Sequence, residues 1–124
     1  MGKRILFVDD DLYVRDLYEE ILKGDGYKID TATNGEEGIA KLQQGGYDLV
    51  LLDILMPSLD GVGVLQELQK NPPQNPNGPI ILLTNLGHDP LVKTSNIRGV
   101  ASYLIKADLT PPDLINAVKK MIGD

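Results

Sequence analysis

The run Leu49-Val50-Leu51-Leu52 is apolar throughout and ends on a carboxylate, Asp53. A strand with one face in water alternates apolar and polar residues. A continuous apolar run is instead the pattern of a strand buried on both faces, as in a parallel sheet covered by helices. Ile5-Leu6-Phe7-Val8 and Ile80-Ile81-Leu82-Leu83 repeat that pattern, and they too end on polar residues, Asp9 and Thr84. Few folds accept such strands, and the carboxyl end of a central parallel strand is where open α/β sheets collect their ligands.

Between the strands, apolar residues recur at helical spacing. Val14, Leu17, Tyr18, Ile21 and Leu22 share one face of a first helix, which Gly24-Asp25-Gly26 stops. Lys28 to Thr33 alternates weakly, as an edge strand does. Asn34 with Glu37 three residues later reads as a capping box for a second helix reaching about Gln44. A third helix is predicted from Gly61 to Gln69, with Val64, Leu65 and Leu68 inward. Asn71 to Pro79 holds four prolines and a glycine and is expected to be a rigid connector away from the Asp53 end of the sheet. A fourth helix around Pro90 to Arg98 has middling helix formers and a thin apolar stripe. Ser102 to Ile105 is the fifth strand, ending on Lys106. Thr110-Pro111-Pro112-Asp113 then opens a last helix that buries Leu114, Val118, Met121 and Ile122.

Strand and helix alternate about five times over 124 residues, which predicts a single domain spanning 1–124. Right-handed crossovers leave few topologies, and the expected one is the flavodoxin-like strand order 2-1-3-4-5 with helices on both faces. No apolar run approaches the roughly 20 residues that cross a bilayer, so no membrane association is expected. A net charge of −6 argues against direct nucleic-acid binding. The lack of cysteine excludes disulfide and thiol chemistry and fits the cytoplasm.

Parallel strands share one direction, so Asp9, Asp10, Asp53, Thr84 and Lys106 converge at one sheet edge although they span most of the sequence. Asp11 reads as the cap of the first helix. Clustered carboxylates repel, and a hard cation relieves them; oxygen donors with room for water suit Mg²⁺. An ammonium and a hydroxyl facing such a metal are groups that hold a phosphoryl oxygen. The chemistry expected is phosphoryl transfer to or from a carboxylate.

These residues resemble a known family. Ile5-Leu6-Phe7-Val8-Asp9-Asp10, Leu51-Leu52-Asp53-Ile54-Leu55-Met56-Pro57, Asp60-Gly61, Leu83-Thr84 and Tyr103-Leu104-Ile105-Lys106 are similar, in order and spacing, to the receiver (CheY-like) domains of two-component response regulators. The resemblance implies a signalling domain, and no enzyme beyond assistance to its own phosphorylation and slow dephosphorylation. It makes Asp53 the acceptor of a phosphoryl group from a phosphohistidine on a sensor histidine kinase or phosphotransfer protein. It implies Mg²⁺ held by Asp10, Asp53 and the Leu55 carbonyl, with Asp9 acting through a water. Lys106 would pair with one phosphoryl oxygen and Thr84 with another. Tyr103, three residues before Lys106 and so on the opposite strand face, would turn inward as Thr84 shifts. That movement would remodel the surface of the fourth helix, the fifth strand and the last helix, through which a homodimer can form. The output is expected to pass to an effector protein or to an output domain.

Some positions depart from the family pattern. Ala107 stands where the family most often has a proline in a cis peptide, and a cis bond before alanine costs about 2.5–4 kcal/mol. Asn85 replaces a very small residue and narrows access to Asp53. Leu55 and Leu86 offer no polar group to orient an attacking water, so a slowly hydrolysing phosphoaspartate is expected. His88, the one histidine, reads as a surface residue. Two other functions compete. A phosphatase similar to the haloacid-dehalogenase type would use Asp9 and Asp11 as its Asp-x-Asp pair, but Tyr13 stands where that pattern wants Thr or Val. An interaction module on the receiver fold would work without phosphorylation, and Asn85 and Ala107 are its motivation.

Overall fold

A computed structural model describes residues 2–54, 61–84, 100–106 and 109–123, leaving aside the side chain of Val62. Its elements are β1 (Arg4–Val8), α1 (Leu12–Gly24), β2 (Lys28–Ala32), α2 (Gly35–Gln44), β3 (Leu49–Asp53), α3 (Gly61–Lys70), β4 (Ile80–Thr84), β5 (Val100–Ile105) and α4 (Pro111–Ile122). The strands form one parallel sheet in the order β2-β1-β3-β4-β5, as expected. The fourth predicted helix, around 90–98, falls outside the described residues, as do Leu55, Asn85, Leu86, His88 and Ala107.

Alternation along the strands divides the core in two. Leu6, Val8, Val50, Leu52, Ile54, Ile80 and Leu82 point to one face and pack against Leu42 of α2 and Val64 and Leu65 of α3. Ile5, Phe7, Leu49, Leu51, Ile81 and Leu83 point to the other, against Tyr18 and Leu22 of α1 and Leu114 and Val118 of α4. All five residues of β3 and of β4 are buried, whereas the outer strand β2 keeps Lys28 and Asp30 exposed. Apolar runs therefore sit in the middle of the sheet and the weakly alternating run at its edge.

The helix starts follow the capping chemistry in the sequence. Thr110 accepts from the Asp113 amide and Asp113 returns the bond to the Thr110 amide, with proline in the first turn. At α2 the box is shifted. Asn34 Oδ1 accepts from the Glu37 amide, but the Glu37 carboxylate reaches Thr33, not Asn34. One inward assignment on α1 is corrected. Leu17 is 43% exposed, and the buried positions are Arg15, Tyr18 and Leu22. The face of α1 against the sheet is narrower than its apolar stripe.

The connector 71–79 is tied down at the end of the sheet remote from Asp53. Asn77 Nδ2, the Gln74 amide and Asn75 Nδ2 donate to the carbonyls of Leu42, Gln43 and Gln44, which have no acceptor role left inside α2. Gly78 approaches β3 so closely that an added Cβ would lie 1.9 Å from the Asp48 carbonyl oxygen. Beside it, Tyr47 donates to Asp30 Oδ2 at 2.8 Å and lies 4.6 Å below the Arg4 guanidinium. Burial and the Asp30 carboxylate push the Tyr47 phenol from 10.0 up to about 12.

Two outcomes follow for this end of the molecule. Gly78→Ala must displace backbone and is expected to cost at least about 1–3 kcal/mol in urea unfolding. Because the folded pKa of Tyr47 is raised, its contribution to stability is complete below pH 10 and lost as pH climbs toward about 12. Alkaline absorbance titration of Tyr47→Phe is expected to lack a phenol that titrates at about 12, with a flatter loss of stability over that interval.

Candidate functional site

The register assembles the site. Val8 is level with Leu52, so Asp9, one step beyond, stands beside Asp53, which is itself level with Leu83. Thr84 is level with Ile105, and Lys106 follows directly. By alternation Asp9 and Asp53 share a face with Phe7 and Leu51, the face covered by α1 and α4. Lys106 follows Leu104 onto that same face, and Tyr103 follows Leu82 and Thr84 onto the other. The expected opposition of Tyr103 and Lys106 is therefore present in the fold.

The side chains meet. One carboxylate oxygen from each of Asp9, Asp10 and Asp53 lies within 4.8 Å of the others. Lys106 Nζ donates to Asp9 Oδ2 at 2.8 Å and to Asp53 Oδ2 at 3.5 Å. Asp9 is fully buried, Asp53 and Thr84 are buried, and Asp10 is exposed. Burial alone would lower the pKa of the Lys106 ammonium, but its bond to Asp9 and the nearby Asp53 charge more than reverse this, so it lies above the usual lysine range. Its protonated form is thus the one the site holds. Burial also raises the Tyr18 phenol, which stacks on Phe7 at 5.0 Å and feels Lys106, Asp9 and Asp53.

Asp11 is the α1 cap, accepting from the amides of Tyr13 and Val14, so it serves the helix and stands outside the carboxylate cluster. That geometry does not fit an Asp9–Asp11 catalytic pair. Asp9 Oδ1 in turn accepts from the Asp11 amide at 2.9 Å. Lys106 sits closer to Asp9 than to Asp53, which apolar run lengths could not show. The sequence reading also passed over Arg15, whose Nη1 donates to the Asp9 carbonyl at 2.7 Å. Its only sequence signal is its position four residues after the Asp11 cap, at the start of a face otherwise assigned to Val14 and Tyr18.

The donor set, all oxygen and tightly spaced, suits a hard divalent cation such as Mg²⁺ better than a soft or nitrogen-seeking metal. Removing the ammonium leaves a buried carboxylate without its partner. Lys106→Met is expected to lose about 3 kcal/mol of stability in urea at neutral pH without added divalent cation. Unchanged stability would show that Asp9 is neutralised in another way.

Comparison with known proteins gives a consistent family. The response regulator receiver domain family matches residues 5–119. The transcriptional regulatory protein ResD of Bacillus subtilis is 34% identical over 119 residues, which cover 96% of this chain and 48% of ResD. The chain thus spans about half the length of such regulators. The chemotaxis protein CheY of Thermotoga maritima is 31% identical, with 98% of each chain covered. Among solved structures, the response regulator TrrA of Thermotoga maritima, in complex with Mg²⁺ and BeF, superposes with a TM-score of 0.80 at 41% identity. That match covers 96% of this chain and 98% of TrrA.

Proposed function

Because this chain belongs to the response regulator receiver domain family, we propose that it is a phosphorylation-dependent switch whose phosphoacceptor is Asp53. The observation that carries the reading is the buried ammonium of Lys106, shared between Asp9 and Asp53 at the edge of three converging carboxylates. In the transfer, an Asp53 carboxylate oxygen attacks the phosphorus of a phosphohistidine. The N–P bond breaks, and the electron pair leaves on the imidazole nitrogen. Asp10, Asp53 and the Leu55 carbonyl would hold Mg²⁺, with Asp9 contributing through a water. That ion supplies neutralisation of the phosphoryl charge. Positioning and charge compensation are what such a transfer asks of a protein.

In this reading Lys106 gives up part of its hold on Asp9 to pair with a phosphoryl oxygen, and the Thr84 hydroxyl takes another. Thr84 and Tyr103 lie on one face of β4 and β5, which supports their acting as a linked switch. The exposed Tyr103, at 43%, then turns inward and changes the surface of β5 and α4. The partners proposed are a sensor histidine kinase or phosphotransfer protein upstream, and an effector protein or output domain downstream. A second copy docked on the switch face is a further one. Such partners place its work in the cytoplasm. Among the described residues no helix is long and apolar enough to cross a membrane.

Treatment of the chain with acetyl phosphate and Mg²⁺, followed by peptide mapping, is expected to place the acyl phosphate on Asp53 and none on the Asp53→Asn variant. Phosphate on Asp9 would support a phosphatase-type nucleophile instead, and no labelling would support an interaction module that works without phosphorylation. With apolar Leu55 and Leu86 two residues beyond Asp53 and Thr84 in the sequence, the adduct is expected to persist for minutes or longer; loss within seconds would contradict that part of the reading.

A further inference from the structure

Arg15 is a buried charge that the proposed transfer does not use. It is 8% exposed, on the first turns of α1, where an arginine at the surface would keep its guanidinium in water. Burying that cation is costly unless it meets good partners. Among the described residues it forms no ion pair, and its guanidinium donates to a main-chain group, the Asp9 carbonyl at 2.7 Å. A buried charge spent on a single carbonyl marks that carbonyl as one the fold must hold.

The bond completes a set. The Asp9 amide donates to the Ala32 carbonyl, its Oδ1 accepts from the Asp11 amide and its Oδ2 from Lys106, so each polar group of the residue is engaged. The Arg15 amide also donates to the Asp11 carbonyl, which fixes the base of the arginine to the turn that its side chain clamps. Asp10 lies in the middle of that turn, and its exposed carboxylate has no hydrogen bond or ion pair among the described residues. Among the described residues, the main chain between Asp9 and Asp11 is therefore what aims Asp10 into the cluster.

We infer that Arg15 is a positioning residue, which holds the Asp9 carbonyl so that the turn aims Asp10 and thereby sets the cation affinity of the carboxylate site. The inference rests on reading that site as a Mg²⁺ site. Positioning and charge make opposite demands. Removing a positive charge beside three carboxylates would by itself tighten the binding of a divalent cation. Loosening the residues that orient metal ligands weakens it, typically 10–100-fold.

The test is a Mg²⁺ titration of the full chain, followed by calorimetry and by the backbone amide resonances of Asp10 and Asp11. It compares the unaltered protein with Arg15→Met, which keeps bulk without donors, and Arg15→Lys, which keeps the charge and one donor. Urea unfolding of each variant separates affinity from stability. The expected result is binding about tenfold weaker in Arg15→Met, with Arg15→Lys in between. Binding as tight as that of the unaltered protein, or tighter, overturns the inference. Should Arg15→Met fail to fold, the lysine variant alone decides by the same criterion. If the unaltered protein takes up no Mg²⁺, the reading of the site itself fails, a result distinct from equal affinities.

Discussion

The ammonium of Lys106, held between Asp9 and Asp53, is the interaction on which the rest of the site depends. Three carboxylates at one sheet edge would repel one another and favour protonation or local opening. A buried cation offsets that repulsion and lets them stay close. The arrangement leaves two net negative charges when Lys106 is set against Asp9, Asp10 and Asp53, which suits the further approach of a cation. The same ammonium is placed to meet new negative charge at Asp53. The pair is thus a resting contact and the group that a phosphoryl oxygen would claim.

Sheet register makes that contact, and the apolar runs make the register. β3 and β4 are buried along their whole length, so a slip by one residue would move a set of leucines and isoleucines to the wrong layer. Residues from both ends of the sequence are therefore brought together to within a hydrogen bond. At the opposite end, the connector 71–79 closes the carboxyl end of α2 and packs Gly78 against Asp48.

Much of this was legible in the sequence because it depends on period and strand direction. Continuous apolar runs gave the central strands, weak alternation gave the edge strand, and polar residues closing each run gave Asp9, Asp53, Thr84 and Lys106 as neighbours. Arg15 was not legible, since an arginine near a helix start reads as solvated unless the fold brings a carbonyl over it. Leu17 was assigned inward because helical spacing cannot tell how wide a stripe the neighbouring elements cover. The shift of the α2 cap to Thr33 and the seating of the connector on α2 likewise depend on side-chain reach and tertiary contact, which pattern does not carry.

The most direct test of the central claim is a crystal structure of the chain with Mg²⁺ and beryllofluoride. The account predicts beryllium bonded to an Asp53 carboxylate oxygen, Lys106 Nζ on a fluorine, and the metal held by Asp10 and Asp53. Beryllofluoride bound to Asp9, or an Asp53 left unmodified with Lys106 still on Asp9, would contradict it.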